Sequence, residues 1–205
     1  MPSTRVLVAD AGSTDGTPDI VRSFQNRLRV EVIPGGVPSV GRNAGAAKAT
    51  TRYVLFIDAD VQPADKSLIR RTMEAAEKKN LECVTTNIIC HECGWLDKAF
   101  YFGNNFFQYL SRLHKPFSTG MFMLFDKSRF DALGGFNAQI LFAEDYYLSK
   151  QVKRSRFAIV RGGVYTTNRR FQKMGYARVA RLFLWTAFNF WNPKYFLRDH
   201  KYWAQ

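Results

Sequence analysis

The acidic residues that could handle a charged substrate fall at two strand-like ends and in one later pair. Asp58-Ala59-Asp60 ends the apolar run Tyr53 to Ile57, and Asp10 ends the run Arg5 to Ala9. Two Asp residues one position apart at a strand end can aim oxygen ligands at a hard cation while it keeps waters and substrate phosphates. The same triplet suits an acidic loop that caps a helix. Glu144-Asp145 follows Gly134-Gly135-Phe136, and by itself this pair reads as a solvated helix start, because acids are favoured in a first turn. Arg42 and the pair Arg169-Arg170 carry guanidinium forks that match phosphate oxygens bidentately, or else serve as solvated surface charge. Cys90-His91-Glu92-Cys93 offers two zinc ligands where a structural site needs four. Cys83, His91 and His114 form no second pair; a redox role is conceivable because the motif follows a strand, but we read this segment first as packing.

The elements that must position these residues follow from periodicity. Arg5 to Asp10 reads as a buried strand, and Ala11 to Gly16 as a turn. A helix starts with Thr17 as N-cap and Pro18 in its first turn. Leu28 to Ile33 alternates as a strand, Ser39 to Thr50 is Ala-rich and helical, and Tyr53 to Ile57 is a strand covered on both faces. Asp65 to Lys79 places apolar residues at helical spacing. This alternation predicts a parallel sheet with helical crossovers, in which ligands bind outside the carboxyl ends of the strands. Asp10 and Asp58 to Asp60 would then share one rim. Beyond it we expect a strand over Glu82 to Cys90, a helix over Trp95 to Leu113 and a strand over Met121 to Phe125. Ala143 to Arg154 reads as a helix, Phe157 to Val160 as extended, and Gly175 to Trp191 as a last helix.

Three segments carry a family resemblance. The run Val8 to Thr17 (VADAGSTDGT) resembles the VVDDGSTDGT segment of family 2 glycosyltransferases. Gly41-Arg42-Asn43-Ala44-Gly45, followed by Tyr53 to Asp60, is similar to the family's RNxG and DaD stretch. Gly134-Gly135-Phe136 with Glu144-Asp145 resembles its GGF and ED segment. The order is the family's, over residues 5 to 155. The resemblance implies an α/β fold of the GT-A type, a mainly parallel sheet with helices on both faces, and transfer of a sugar from a nucleotide diphosphate sugar to an acceptor hydroxyl with inversion. Carried over, Asp10 would contact the nucleotide base and Arg42 a donor phosphate. Asp58 and Asp60 would hold the nucleoside and a metal, Mg2+ or Mn2+, on the diphosphate. Asp145 would be the catalytic base, Glu144 and Gly135 would meet the acceptor, and Arg169 and Arg170 a phosphate. The family often has two Asp residues before Gly-Ser, and here the second is Ala11, which leaves the base contact to Asp10 alone.

The resemblance also implies that the family's first strand and helix are missing, so that two strands keep unpaired inner edges unless Met1 to Thr4 or a partner chain closes the gap. We expect an N-terminally truncated fragment or a misassigned start, poorly stable and weakly active alone. The alternatives are a nucleotidyltransferase, which would want a basic Gly-rich loop after its first strand, and a noncatalytic nucleotide-sugar or membrane-surface binding module.

With 205 residues and 46% hydrophobic content, one globular domain over 1–205 is expected. Residues 1–80 form its nucleotide-binding part, 81–174 its acceptor and catalytic-base part, and 175–205 a C-terminal aromatic helix. The net charge of +13 favours anionic partners, but no nucleic-acid module is recognisable, so nucleic acid is set aside. A glycan or lipid-linked acceptor fits the resemblance. Three Cys and no signal peptide suggest a reducing, cytoplasmic location. No apolar run approaches the roughly 20 residues that span a bilayer; the longest is Leu182 to Trp191. The aromatic segments Trp95 to Phe117 and Phe183 to Trp191 suit core packing first and, given their basic neighbours, peripheral contact with the inner membrane face second.

Overall fold

Alternation along one strand organises the core. In the computed structural model, which describes residues 4–189, 191–198, 200 and 202, the strand Phe122–Asp126 sends Met123 and Phe125 to one face and Phe122 and Leu124 to the other, as a period of two requires. All four are buried, because helices cover both faces.

In chain order the elements are β1 (Arg5–Asp10), α1 (Thr17–Ser23), β2 (Arg29–Pro34), α2 (Pro38–Lys48), β3 (Tyr53–Ile57), the two-residue β4 (Gln62–Pro63), α3 (Leu68–Lys79) and β5 (Cys83–Cys90). Then come α4 (Trp95–Ser111), β6 (Phe122–Asp126), α5 (Lys127–Ala132), α6 (Glu144–Ser149), β7 (Phe157–Thr166), α7 (Arg169–Met174), α8 (Tyr176–Phe188) and α9 (Pro193–Phe196). A single 3-10 turn over Arg154–Arg156 leads into β7. One face of the main sheet carries Phe56, Phe125, Phe130, Phe136 and Leu148, and the other packs Leu68 and Ala76 of α3 against Val84, Leu124 and Val164.

The strands form two sheets. β1 and β2 pair in parallel, and a five-stranded sheet has the order β3-β6-β5-β7-β4. Within the latter only β5–β7 is parallel; β3–β6, β5–β6 and β4–β7 are antiparallel. The expected α/β architecture is present. The single parallel run through β1, β2 and β3 is not, since β3 joins the other sheet. Among the described residues β1 is paired on the β2 side alone and β3 on the β6 side alone, so both keep an unpaired edge. The suggested closing segment at residues 1–3 lies outside the described residues, as does residue 190 of the expected last helix.

Boundaries shift for local reasons. Gly16, at φ 82°, is the N-cap of α1, while Asp15 receives both the amide and the hydroxyl of Thr17, so Thr17 is the first helical residue. β7 runs on to Thr166 through a bulge opposite Thr86 and Asn87. At Gly163 a Cβ would stand 2.6 Å from the Ile89 side chain, so glycine there is what lets the strand continue past the expected end at Val160. α6 stops at Ser149, well before Arg154. Cys90 and Cys93, read from spacing as packing, are joined by a disulfide across the β5–α4 turn, and Cys83 is the free, buried cysteine. The turn residue Glu92, at φ 54°, folds the chain back to bring the two together.

Candidate active site

The loop after β3, the second turn of α2 and the start of α6 meet at one guanidinium. Arg42 donates from Nη2 to Asp58 Oδ1 at 2.7 Å and from Nη1 to Glu144 Oε1 at 2.8 Å. Its side chain is only 12% exposed, so these are sheltered, charge-assisted bonds. The arginine expected at a phosphate is committed here to two carboxylates. Gly120, just before β6, makes room: a Cβ there would lie 2.5 Å from Arg42 Nη2. The amide of Gly120 also donates to Asp145 Oδ2 at 2.6 Å, and the amide of Tyr146 to Asp145 Oδ1 at 2.7 Å. Both oxygens of Asp145 are thereby oriented by backbone.

Three carboxylates around one guanidinium leave an excess of negative charge. Burial, reinforced by Asp145 and opposed by Arg42, pushes Glu144 up to about 7. Burial also raises Asp145, with Arg42 opposing, and raises Asp58 against the same arginine. For Arg42 burial disfavours the charge, but Asp58 and Glu144 outweigh it and hold the guanidinium above its ordinary value. A cluster of this kind retains a proton near neutrality, and its carboxylates are stronger bases than free ones.

The other expected residues surround this centre. Asp60 is 56% exposed and receives Arg169 Nη2 at 3.0 Å. Arg170 stacks over the Tyr202 ring at 4.3 Å and donates to the Tyr202 carbonyl. Burial pushes the Tyr202 hydroxyl up to about 12, with Asp145, Glu144 and Asp58 adding to the rise against Arg170. Asp10 closes β1, and its carboxylate accepts the amides of Gly12 and Ser13 at 3.0 Å. Hydrogen bonding from Ser13 holds it below the usual carboxylate range. Both bonds stay within its own turn. Gly135, at φ 68°, shapes the turn ahead of Phe136, where a Cβ would stand 2.8 Å from Asn43 Oδ1.

Sequence reasoning passed over Asn43, Gly120 and Tyr202. Asn43 receives the Phe136 amide at 2.9 Å and donates to the Phe136 carbonyl at 2.7 Å, clamping the Gly-Gly-Phe turn to α2. Its place beside Arg42 was the available signal. A glycine before a strand and a distant tyrosine carry none.

The donor set at the β3 end suits a hard divalent cation: Asp58 and Asp60 present carboxylate oxygens, and Asp60 faces solvent. Among the described residues the geometric grouping able to hold a metal is instead Cys90, Cys93 and Asp97. Its two sulfurs are bonded to each other, and Asp97 is taken up by Tyr176, Asn168 and the Gly94 amide.

Comparison with known proteins gives concordant results. A family model described as Glycosyl transferase family 2 matches residues 2–135. A validoxylamine A glucosyltransferase of Streptomyces hygroscopicus subsp. jinggangensis is 40% identical over 60 residues, which cover 27% of this chain and 14% of that protein. Among solved structures, S. aureus TarS 1-349 aligns with a TM-score of 0.60 at 17% identity over 88% of this chain and 56% of that one. Mannosyltransferase PcManGT from Pyrobaculum calidifontis, in complex with GDP-Man and Mn2+, aligns with 0.66 at 19% identity, over 86% of this chain and 51% of that one. At these identities the likeness establishes the fold. The chain spans about half the length of these structures, and its match covers a much smaller part of the curated relative.

Proposed function

The chain belongs to glycosyl transferase family 2, and from that premise we propose that it moves a sugar from a nucleotide diphosphate sugar to an acceptor hydroxyl with inversion, at the site centred on Arg42. The observation that carries this reading is the pair of ion pairs from Arg42 to Asp58 and Glu144. They bring the acidic motif after β3 and the acidic pair of α6 into one place, donor side beside acceptor side. Structures similar in fold were solved with UDP-GlcNAc and with GDP-Man and Mn2+, which supports a nucleotide-sugar donor.

In this reading β1 to α3 hold the donor, with Asp10 toward the base and Asp58 and Asp60 toward the diphosphate. A divalent ion bound there, Mg2+ or Mn2+, supplies Lewis-acid neutralisation of the departing diphosphate. Arg169 and Arg170 add positive charge on the same side. Asp145 accepts the proton of the acceptor hydroxyl as its oxygen attacks the anomeric carbon from the face opposite the leaving group. The bond to the diphosphate oxygen breaks as the new glycosidic bond forms. The two backbone amides fix the carboxylate for that transfer, and Glu144, held by Arg42, lines the acceptor side with Gly135. A glycan or lipid-linked hydroxyl is the acceptor class this chemistry serves, since an anionic phosphate acceptor needs no base.

The test separates the two halves of the site. Asp60→Ala should abolish metal-dependent nucleoside diphosphate binding measured by titration calorimetry. Asp145→Asn should keep that binding and lose roughly 10² to 10⁴-fold in turnover with a nucleotide sugar and acceptor. Melting curves report whether each variant is folded. Unchanged turnover in Asp145→Asn would overturn the base assignment, and binding without any transfer by the parent chain would leave a noncatalytic binding module.

A further inference from the structure

The helix α4 is turned inside out. Its inward side is rich in polar residues: Asp97 and Gln108 are buried beside Tyr101, and Asn105 is partly buried. They are spent on the edge of β5 and its surroundings. Asn105 exchanges two hydrogen bonds with the backbone of Ile88, at 2.9 and 2.8 Å, and Gln108 donates to the Thr86 carbonyl at 3.0 Å. Asp97 anchors Tyr176 and Asn168. The outward stripe is apolar, recurring at spacings of seven, four and three: Trp95, Phe102, Phe106, Tyr109 and Leu113 are all exposed, Trp95 by 76% and Phe102 by 72%. Beside it, Tyr101 of α4 packs with Phe171 and Val179, which brings in α8, whose Leu184, Trp185 and Phe188 are likewise exposed. The expectation that core packing absorbs these aromatics holds for Phe100 and Tyr101 but not for the exposed stripe, because much of the inward face of α4 is occupied by side chains that complete the hydrogen bonding of β5.

The charges carried by the two helices are mainly basic, with Glu92, exposed in the turn before α4, the nearest exposed acid in sequence. From Lys98 to Phe125 and from Tyr146 to Arg198 the sequence contains no Asp or Glu. Lys98, Arg112, Lys115, Arg178 and Arg181 are exposed there, whereas the one acid on α4, Asp97, is buried. We propose that α4 and α8 dock in the plane of an anionic lipid surface, with the aromatic stripe entering the headgroup and acyl boundary and the basic side chains reaching the anionic headgroups. Aromatic rings with basic flanks are the composition of an interfacial helix, and long basic side chains can lay their stems along the apolar surface while their heads stay in water. A second copy of this chain is the poorer occupant, since pairing this face with itself would set like charges against each other. No helix among the described residues is long and apolar enough to cross a membrane, so the contact is in-plane. The proposal stands apart from the glycosyl-transfer reading and would hold for a chain without activity.

Cosedimentation with phosphatidylcholine vesicles, with and without phosphatidylglycerol, tests it on the full chain. We expect binding to the phosphatidylglycerol vesicles that falls as salt is added, much weaker binding to phosphatidylcholine alone, and a blue shift of tryptophan fluorescence on binding. The double variant Phe102→Ser, Trp185→Ser should lower partitioning by about tenfold or more with unchanged melting and nucleotide binding. Arg178→Glu with Arg181→Glu should remove the preference for anionic vesicles and leaves the aromatic stripe in place as an independent check. Absence of binding to either vesicle, or equal partitioning by both variants and the parent, would overturn the proposal. So would a dimer in sedimentation that the aromatic variant dissolves, or tryptophans shielded from acrylamide without vesicles, since another surface would then cover the face.

Discussion

Glu144 carries the sharpest residue-level consequence of the Arg42 cluster. Its folded value of about 7 lies above the ordinary 4.5, so the folded protein holds this proton more tightly than the unfolded chain does. The stability that results is fully present below the ordinary value and is lost as pH rises through the folded one. Asp58 and Asp145 are raised as well and act in the same direction. Denaturant resistance should therefore fall as pH rises from about 4.5 to about 7. Glu144→Gln, whose carbonyl can still accept from Arg42 but which cannot titrate, should show a shallower fall. Urea titrations of both proteins across that window check this, and identical slopes would take Glu144 out of the account. Both acids of this pair were visible in the sequence, but their burial beside an arginine from a helix about a hundred residues earlier was not.

At the scale of elements, α2 ties the molecule together. Three consecutive residues point three ways, as a helix advances about 100° per residue. Gly41 lies against β1, where a Cβ would sit 3.0 Å from that of Ala9; Arg42 reaches Asp58 and Glu144; and Asn43 clamps Phe136. Asn43→Ala removes both bonds to Phe136 and leaves a part-buried amide and carbonyl unpaired, at a cost of roughly 1 to 3 kcal/mol. A lower melting temperature with a lower affinity for the acceptor should follow, because the Gly-Gly-Phe turn is no longer fixed to α2. Calorimetric melting measures the first effect, and an unchanged midpoint would show that the clamp contributes nothing. The motif residues Arg42 and Asn43 were legible as a pair, whereas the division of labour between them depends on the crossing of α2 over both sheets.

For the whole molecule, burial is uneven. β5, β6 and β7 are lined with fully buried side chains, while in β1 and β2 only Ile33 is buried and β1 has one paired edge. Few buried contacts and solvent-facing backbone bonds mark a unit that opens at low free energy. Amide hydrogen exchange should therefore be faster in β1, α1 and β2 than in the central strands, with the β1–β2 unit exchanging as a group. Uniform protection across both sheets would contradict this. Saturation with a nucleoside diphosphate should slow exchange in β1 if Asp10 meets the base, since a ligand bound only by the closed form shifts that equilibrium.

The sequence alone determined the family, the α/β class, the strands that lead to Asp10 and Asp58, and the acidic pair at 144 and 145, because each is a local pattern: an apolar run, a turn, a motif in order. It could not determine which strands pair. Pairing is a choice among distant partners, and β3 found β6 in antiparallel register instead of extending a parallel run from β1. Nor could it show which way α4 faces, because aromatics dense enough to cover most of a helix leave its direction open. That direction was decided by Asn105 and Gln108, whose amides satisfy backbone groups of β5 that burial would otherwise leave unpaired. The tertiary structure likewise placed Arg42 among three carboxylates, an arrangement that requires the absence of a side chain at Gly120, a residue with nothing in its neighbourhood to announce it.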